Sequence, residues 1–162
     1  MPCTALAVRR IVTELAGRLA GCRAVVVGRS HNVGLPIQLV LGADSRKGGL
    51  DLTPTLTHRH TPGPVLTAAL QQADLVVTAV GLPGSLTGAQ LRSGCCVVDV
   101  GLNRVGGRVV GDCHPSVREV AGLVTPVPGG VGPCTVACLM QNTLTAACLQ
   151  AGIPPTPPPP AS

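Results

Sequence analysis

Residues 23–36 read RAVVVGRSHNVGLP, and these fourteen residues decide the fold. Ala24, Val25, Val26 and Val27 form an unbroken β-favouring apolar run, the pattern of a strand covered on both faces in a parallel sheet. Gly28 breaks the run. Arg29 and Ser30 lead to a second glycine, Gly34. Leu35, Pro36, Ile37, Leu39 and Val40 then read as the first turns of a helix, with proline tolerated near its start. A strand, a glycine-bounded turn and a helix N-terminus set free backbone N–H groups beside the positive end of a helix dipole, which suits a phosphate or pyrophosphate. The spacing Gly28, Ser30, Gly34 is not the G-x-G-x-x-G of the general dinucleotide fingerprint, and a βα turn needs glycine for its geometry without any ligand. The turn by itself therefore leaves a nucleotide site and a plain connection both open. It does not meet the hydrolase elbow G-x-S-x-G, because Asn32 stands where that motif has its second glycine.

Outward from this unit, residues 4–19 carry apolar positions at Leu6, Val8, Ile11, Val12, Leu15 and Leu19, spaced for one helix. Downstream, Thr53 to Thr57 read as a short strand whose Pro54 belongs at the strand's start or on a sheet edge. A helix over 64–72 precedes a third buried strand, DLVVTAV (74–80), which runs to Gly81. Helical turns over 87–91 precede CCVVDV (95–100), which runs to Gly101. A short strand over 108–110, a helix turn over 115–120 and a fifth strand over 123–127 follow. Residues 132–149 are apolar on nearly every side and read as a buried helix. Residues 153–162 form a proline-rich tail suited to extended polyproline or disorder. Strands alternating with helices predict an α/β fold, a Rossmann-type parallel sheet with helices on both faces in a single domain. Ligands of such sheets sit beyond the strands' carboxyl ends. That rule places residues 28–34, 58–61, 80–83, 101–103 and 126–132 along one rim.

The composition narrows the function. The 162 residues are 45% hydrophobic and 12% charged, enough for a folded core. They contain no Phe, Tyr or Trp, so the stacking platforms of most single-strand nucleic-acid binders are missing. The net charge of +5 comes from scattered basic residues, adjacent only at Arg9-Arg10 and Arg46-Lys47, and forms no stripe for nucleic acid. The eight cysteines include no C-x-x-C pair, so they read as small core thiols of a reducing compartment rather than a zinc site. Cys134 and Cys138 fall on one helical face. No run approaches the roughly 20 apolar residues of a membrane span. Four arginines in the first 23 residues fit a mitochondrial presequence, but Glu14 and the lack of serine there do not. Asp99 and Asp112 are strand-end carboxylates that read as turn stabilisers.

With the rim loops in view, the chain resembles the C-terminal, NAD(P)-binding domain of the bifunctional methylenetetrahydrofolate dehydrogenase/cyclohydrolases. The resemblance rests on VVVGRSHNVGLP (25–36), VVDVGLN (97–103), VGD (110–112) and TPVPGGVGPCTVACLMQNT (125–143), and on PCT (2–4), which looks like the family's passage from its first domain into its second. Cys134 and Cys138 stand where methionines are usual. The resemblance covers residues 2 to about 152 and implies that Gly28, Arg29, Ser30, Val33, Gly34, His58, Arg59, Val80, Gly81 and Asn103 bind the cofactor. It implies that Pro128, Gly129, Gly130, Val131 and Gly132 face the folate and the nicotinamide.

The loop Gly48-Gly49, Asp51 and THRHTP (57–62) is most similar to the mitochondrial, NAD-preferring branch. There the residues matching Arg29, Asp51 and Arg59 hold inorganic phosphate and magnesium beside NAD. By the general rule, basic groups at the end of the second strand favour the 2′-phosphate of NADP. A phosphate ion between the two arginines would permit NAD instead, and an Asp51–Arg59 surface ion pair is the plainer alternative.

The family oxidises 5,10-methylenetetrahydrofolate to the methenyl form and hydrolyses that to 10-formyltetrahydrofolate. Its catalytic lysine, the partner tyrosine and most of the folate pocket belong to the first domain, which would lie before residue 1. No residue of this chain is therefore given a catalytic role. The expectation is a cofactor-binding half, inactive alone, that meets folate only with the other domain and forms a homodimer. A mitochondrial location follows from the resemblance, a cytoplasmic one otherwise. A non-catalytic dimerisation or binding module and an unstable fragment are the two alternatives.

Overall fold

The computed structural model describes residues 1–15 and 20–154. Seven strands and five α-helices alternate along it. They are α1 (Cys3–Leu15), β1 (Arg23–Val27), α2 (Gly34–Gly42), β2 (Thr53–Thr57), α3 (Gly63–Leu70), β3 (Leu75–Thr78), β4 (Cys96–Asp99), β5 (Asn103–Val105), β6 (Arg108–Val110), α4 (Val117–Val120), β7 (Leu123–Val124) and α5 (Val131–Gln150). The expected helix over 4–19 is present as α1; its last predicted residues, 16–19, lie outside the described residues, as does the tail from 155 onward. The strands predicted over 74–80, 95–100 and 123–127 are shorter than their apolar runs, because pairing stops where the chain turns into the rim loops.

Five strands form one sheet in the order β2-β1-β3-β4-β7, every pair parallel. β2 is an edge strand, so Pro54, paired with Ala24, costs no bond on a second side. β5 and β6 form a separate antiparallel hairpin that the sequence reading shows only in its second strand. The apolar runs are buried on both faces, as parallel strands require. Ala24, Val26, Leu75, Val77 and Val98 face α1, α2 and α5, and pack with Val8, Val12, Ile37, Leu41 and Cys138. Val25, Val76 and Val97 face the other way and pack with Leu70, Leu86, Leu91 and Val117.

Helix α5 departs from the expectation of a buried helix. Only Val131 and Cys138 are buried, while Val136, Leu139, Met140 and Leu144 are more than half exposed. One face packs on α1, where Asn142 Nδ2 donates to the carbonyl of Met1 at 3.0 Å and to Cys3 Sγ at 3.4 Å. α1 is a single helix and cannot cover the outer side. Among the described residues no helix is long and apolar enough to cross a membrane.

Candidate functional site

In a sheet of this order the connections leave β1 and β3 in opposite directions, and a crevice opens between their carboxyl ends. Two cavities lie on that rim. The first, about 490 Å³, is lined by Gly28, Arg29, Ser30, His58, Arg59 and Val80, from the ends of β1, β2 and β3. The second, about 550 Å³, is lined by Val33, Asp99 to Leu102 and the whole bend Pro128, Gly129, Gly130, Val131 and Gly132, from β4, β7 and the start of α5. Residues of the rim predicted from sequence thus fall into two cavities that share no lining residue.

The turn after β1 is built by close packing. A Cβ on Gly34 would lie 1.9 Å from the Gly28 carbonyl oxygen, and one on Gly28 would lie 2.3 Å from that of Ala79. Both glycines let α2 start directly against the strand end, and Gly28 also needs its φ of +120°. The amides at the helix start are not all free, contrary to the reading of the bare sequence. Ser30 Oγ accepts from the N–H groups of Val33 (3.1 Å) and Gly34 (3.4 Å), and the Ser30 carbonyl accepts from Leu35. The backbone N–H groups of Arg29, Ser30, His31 and Asn32 have no partner among the described residues and remain available. So does the Arg29 side chain, which is exposed and unpaired among those residues.

The loop after β2 is knitted by its own side chains. His58 N–H donates to Thr61 Oγ1 at 3.0 Å, His60 N–H donates to His58 Nδ1 at 3.2 Å, and Arg59 Nε donates to His60 Nε2 at 3.3 Å. No carboxylate lines this cavity.

Asp51 does not join this corner. It precedes β2 while Arg59 follows it, so the strand separates them by on the order of 20 Å. At the sheet's amino end Asp51 Oδ1 accepts from Ser45 N–H at 2.9 Å, and its carbonyl accepts from Gly21 N–H at 2.8 Å. The expected Arg29–Asp51–Arg59 set is therefore only an Arg29–Arg59 pair, and the Asp51–Arg59 ion pair is absent as well.

Two buried carboxylates shape the rim. Asp112 Oδ2 accepts from the N–H groups of Val80 (2.7 Å) and Gly81 (3.1 Å) and from Thr78 Oγ1, and its Oδ1 accepts from Leu82 N–H and Asn103 Nδ2. Asp99 accepts from the N–H groups of Gly101, Asp112 and Cys113. Turn stabilisation, the role expected from sequence, is thus what both perform. Asn103 spends its amide on Asp112 and lines neither cavity; Gly81 is held by the same carboxylate. The hydrophobic back wall of the first cavity, Leu66, Leu70 and Leu86, was not singled out from sequence, since nothing distinguishes such residues from ordinary core. Burial, then the neighbouring Asp99 charge, pushes the Cys113 thiol far up, so it is no nucleophile. No group of three metal-ligating side chains occurs among the described residues.

The model of the tetrahydrofolate dehydrogenase/cyclohydrolase NAD(P)-binding domain matches residues 2–151. The chain belongs to that family. It is 47% identical over 156 residues to the mitochondrial bifunctional methylenetetrahydrofolate dehydrogenase/cyclohydrolase of Drosophila melanogaster, covering 91% of this chain and 50% of the relative. Its structure is similar to that of a 5,10-methylenetetrahydrofolate dehydrogenase from the silkworm Bombyx mori, with a TM-score of 0.88, 45% identity, and 94% of this chain against 53% of the other covered. It is also similar to the Trypanosoma brucei methylenetetrahydrofolate dehydrogenase-cyclohydrolase in complex with NADP and an inhibitor, with a TM-score of 0.82, 38% identity, and 93% against 52% covered. The chain spans about half the length of the relatives it matches, and that half is the NAD(P)-binding one. The cofactor class of this family domain is accordingly a nicotinamide dinucleotide.

Proposed function

We propose that this chain binds NADP, or NAD together with inorganic phosphate, across the two rim cavities, as the cofactor half of a methylenetetrahydrofolate dehydrogenase/cyclohydrolase. The observation that carries the proposal is the convergence of Arg29 and Arg59 on one carboxylate-free cavity at the sheet's switch point. An arginine fork on each side suits a 2′-phosphate. The unpaired amides of residues 29–32 suit the pyrophosphate. Gly28, Ser30, Val33, Gly34, His58 and Val80 would frame the dinucleotide, with Gly81 and Asn103 acting through Asp112. Bound there, the nicotinamide would accept a hydride from 5,10-methylenetetrahydrofolate. Pro128 to Gly132 would hold the ring against the folate, since glycine allows close backbone approach. Magnesium finds no carboxylate in this corner, because Asp51 lies at the opposite end of β2.

Turnover needs more than the residues around these two cavities supply. The chain has no tyrosine, and its single lysine, Lys47, sits in the turn 45–47 at the sheet's amino end, away from both cavities. Hydride transfer demands a donor held in near-attack geometry, which half a cleft does not provide. The folate-binding half would meet this chain at the second cavity and along the exposed apolar side of α5. Val136 supports that placement, because it belongs to both the cavity wall and the stripe. The same stripe favours a second reading, a non-catalytic module that pairs with a complete subunit. Homodimer formation and a mitochondrial location are part of the proposal, the latter supported by the mitochondrial Drosophila relative.

Calorimetric titration tests the cofactor assignment. NADP should bind more tightly than NAD alone, and added phosphate should improve NAD without a further gain from magnesium. Arg59→Ala should weaken NADP by about tenfold or more, the loss of one charge-assisted phosphate contact. Equal affinity for NAD and NADP, unaffected by Arg59→Ala, would overturn it. The purified chain alone should show no turnover of methylenetetrahydrofolate.

A further inference from the structure

We propose that the Ser85 hydroxyl, with the Gln90 carboxamide beside it, reads the purine base of the bound dinucleotide in the part of the first cavity that follows β3. The inference rests on the cofactor assignment above and deepens it. Among the described residues two buried side-chain polar atoms have no hydrogen-bond partner, Arg9 Nε on α1 and Ser85 Oγ in the turn after β3. Buried polar groups are paired as a rule, because an unpaired one has given up its hydration for nothing. Ser85 as a residue is only partly buried, and it lines the cavity. No bond holds its hydroxyl where it lies, so turning about χ1 to another staggered position costs it no partner. The Thr78 hydroxyl on the same wall is committed, since Thr78 Oγ1 donates to Asp112 Oδ2.

The surroundings select what Ser85 can meet. Leu66, Leu70, Leu82 and Leu86 line the cavity with it. Helix α3 and residues 75–91 carry no ionisable side chain. The Asp112 carboxylate behind residues 80–82 has both oxygens engaged by its donors. The charged lining, Arg29 and Arg59, comes instead from the loops after β1 and β2. An apolar wall with a few placed polar atoms suits a flat, uncharged ring with polar groups on its edge. In a nicotinamide dinucleotide that describes the purine, and not the phosphates, the sugars or the cationic oxidised nicotinamide. Gln90 adds a donor of fixed sense. Its Oε1 accepts from Thr87 N–H at 2.9 Å and from Thr87 Oγ1 at 3.0 Å, which leaves the Nε2 hydrogens to give. A purine ring nitrogen accepts from such a donor, and an exocyclic amino group donates to a serine oxygen.

The test is calorimetric titration of the full chain and of Ser85→Ala with NADP, with adenosine 2′,5′-bisphosphate and with nicotinamide mononucleotide. Loss of one hydrogen bond should weaken NADP and adenosine 2′,5′-bisphosphate alike, by about fivefold. Nicotinamide mononucleotide should stay within about twofold. Ser85→Cys, close to serine in size but a weak hydrogen-bonding group, should behave as the alanine variant does. Without ligand, Ser85→Ala should melt at or above the native chain, because the hydroxyl it removes has no partner to lose. A serine that serves only the fold predicts the reverse, and a melting temperature lower by more than about 3 °C would overturn the proposal. NADP affinity unchanged in both variants would overturn the role of Ser85 alone. An equal loss against uridine 2′,5′-bisphosphate, which keeps the sugar and both phosphates but lacks the purine, would overturn the base contact. No NADP binding by the native chain would overturn the cofactor assignment and this inference together.

Discussion

Replacing Asp112 by asparagine should be the most damaging isosteric change on the rim. The side chain is 0% exposed and accepts five hydrogen bonds, from Thr78 Oγ1, the N–H groups of Val80, Gly81 and Leu82, and Asn103 Nδ2. An amide has one acceptor oxygen and one NH₂. With NH₂ at the Oδ1 position, the Leu82 and Asn103 donors face another donor; at the Oδ2 position, those of Val80 and Gly81 do. Either orientation leaves at least two donors unsatisfied, each costing ~1–3 kcal/mol. Allowing for relaxation of the turn, the loss should be about 3 kcal/mol, or a melting temperature lower by roughly 6–12 °C in a domain of this size. NADP affinity should fall with it, because residues 80–82 form a wall of the first cavity. Thermal and urea melts of Asp112→Asn beside Asp44→Asn give the measurement. Asp44 pairs with exposed Arg46 and caps the 45–47 turn through the Arg46 N–H, a cap that asparagine can keep, and its variant should melt close to the native chain. A loss at Asp112 below about 1 kcal/mol would refute the claim that this carboxylate organises the rim.

Gly34→Ala should cost about 3 kcal/mol or more and abolish NADP binding, since the new methyl would lie 1.9 Å from the Gly28 carbonyl oxygen and α2 would have to move off β1; a variant melting within about 1 kcal/mol of native in urea contradicts that packing. Stability should also fall as pH rises above about 9. Burial holds the Cys113, Cys95, Cys96 and Cys138 thiols above their usual range, whereas in the unfolded chain they ionise near pH ~8.5. The folded state then binds more protons than the unfolded one, so unfolding is favoured with rising pH. Melts at pH 8 and pH 10 should show the decline, and Cys113→Ala should flatten it; identical midpoints would contradict the shift.

The parts of this molecule legible in the sequence are those whose determinants are local. The VVV and LVVT runs are continuous because both faces of a parallel strand are covered. Pro54 announced either a strand start or a sheet edge because proline cannot donate to a second neighbour, and it is the second residue of an edge strand. Gly28 and Gly34 announced a close βα turn, although their spacing matched no general fingerprint. Asp51 was misplaced for the opposite reason. Seven residues separate it from Arg59, and sequence proximity is no guide to spatial proximity when an extended strand of five residues stands between. A short strand carries its two ends to opposite rims of the sheet, and only the amino rim was left for Asp51. Ser30 shows a subtler limit. A serine at a helix start was weighed as a nucleophile and as a ligand contact, while its hydroxyl caps the amides that a phosphate was expected to take.

Helix α5 was misread because apolarity reports what a surface needs covered, not what covers it. Its apolar composition fits burial, yet among the described residues the helix that packs along it is α1, which takes the side marked by Cys138 and Asn142. The remaining stripe of Val136, Leu139, Met140 and Leu144 starts at the wall of the second cavity and runs away from it. A partner that closes the cavity over Pro128 to Gly132 would therefore also bury the stripe. The energy for assembling the folate site and the energy for covering α5 would then come from one interface. Polar substitutions at Leu139, Met140 and Leu144, the part of the stripe outside the cavity wall, would lower assembly without touching a residue that lines either cavity.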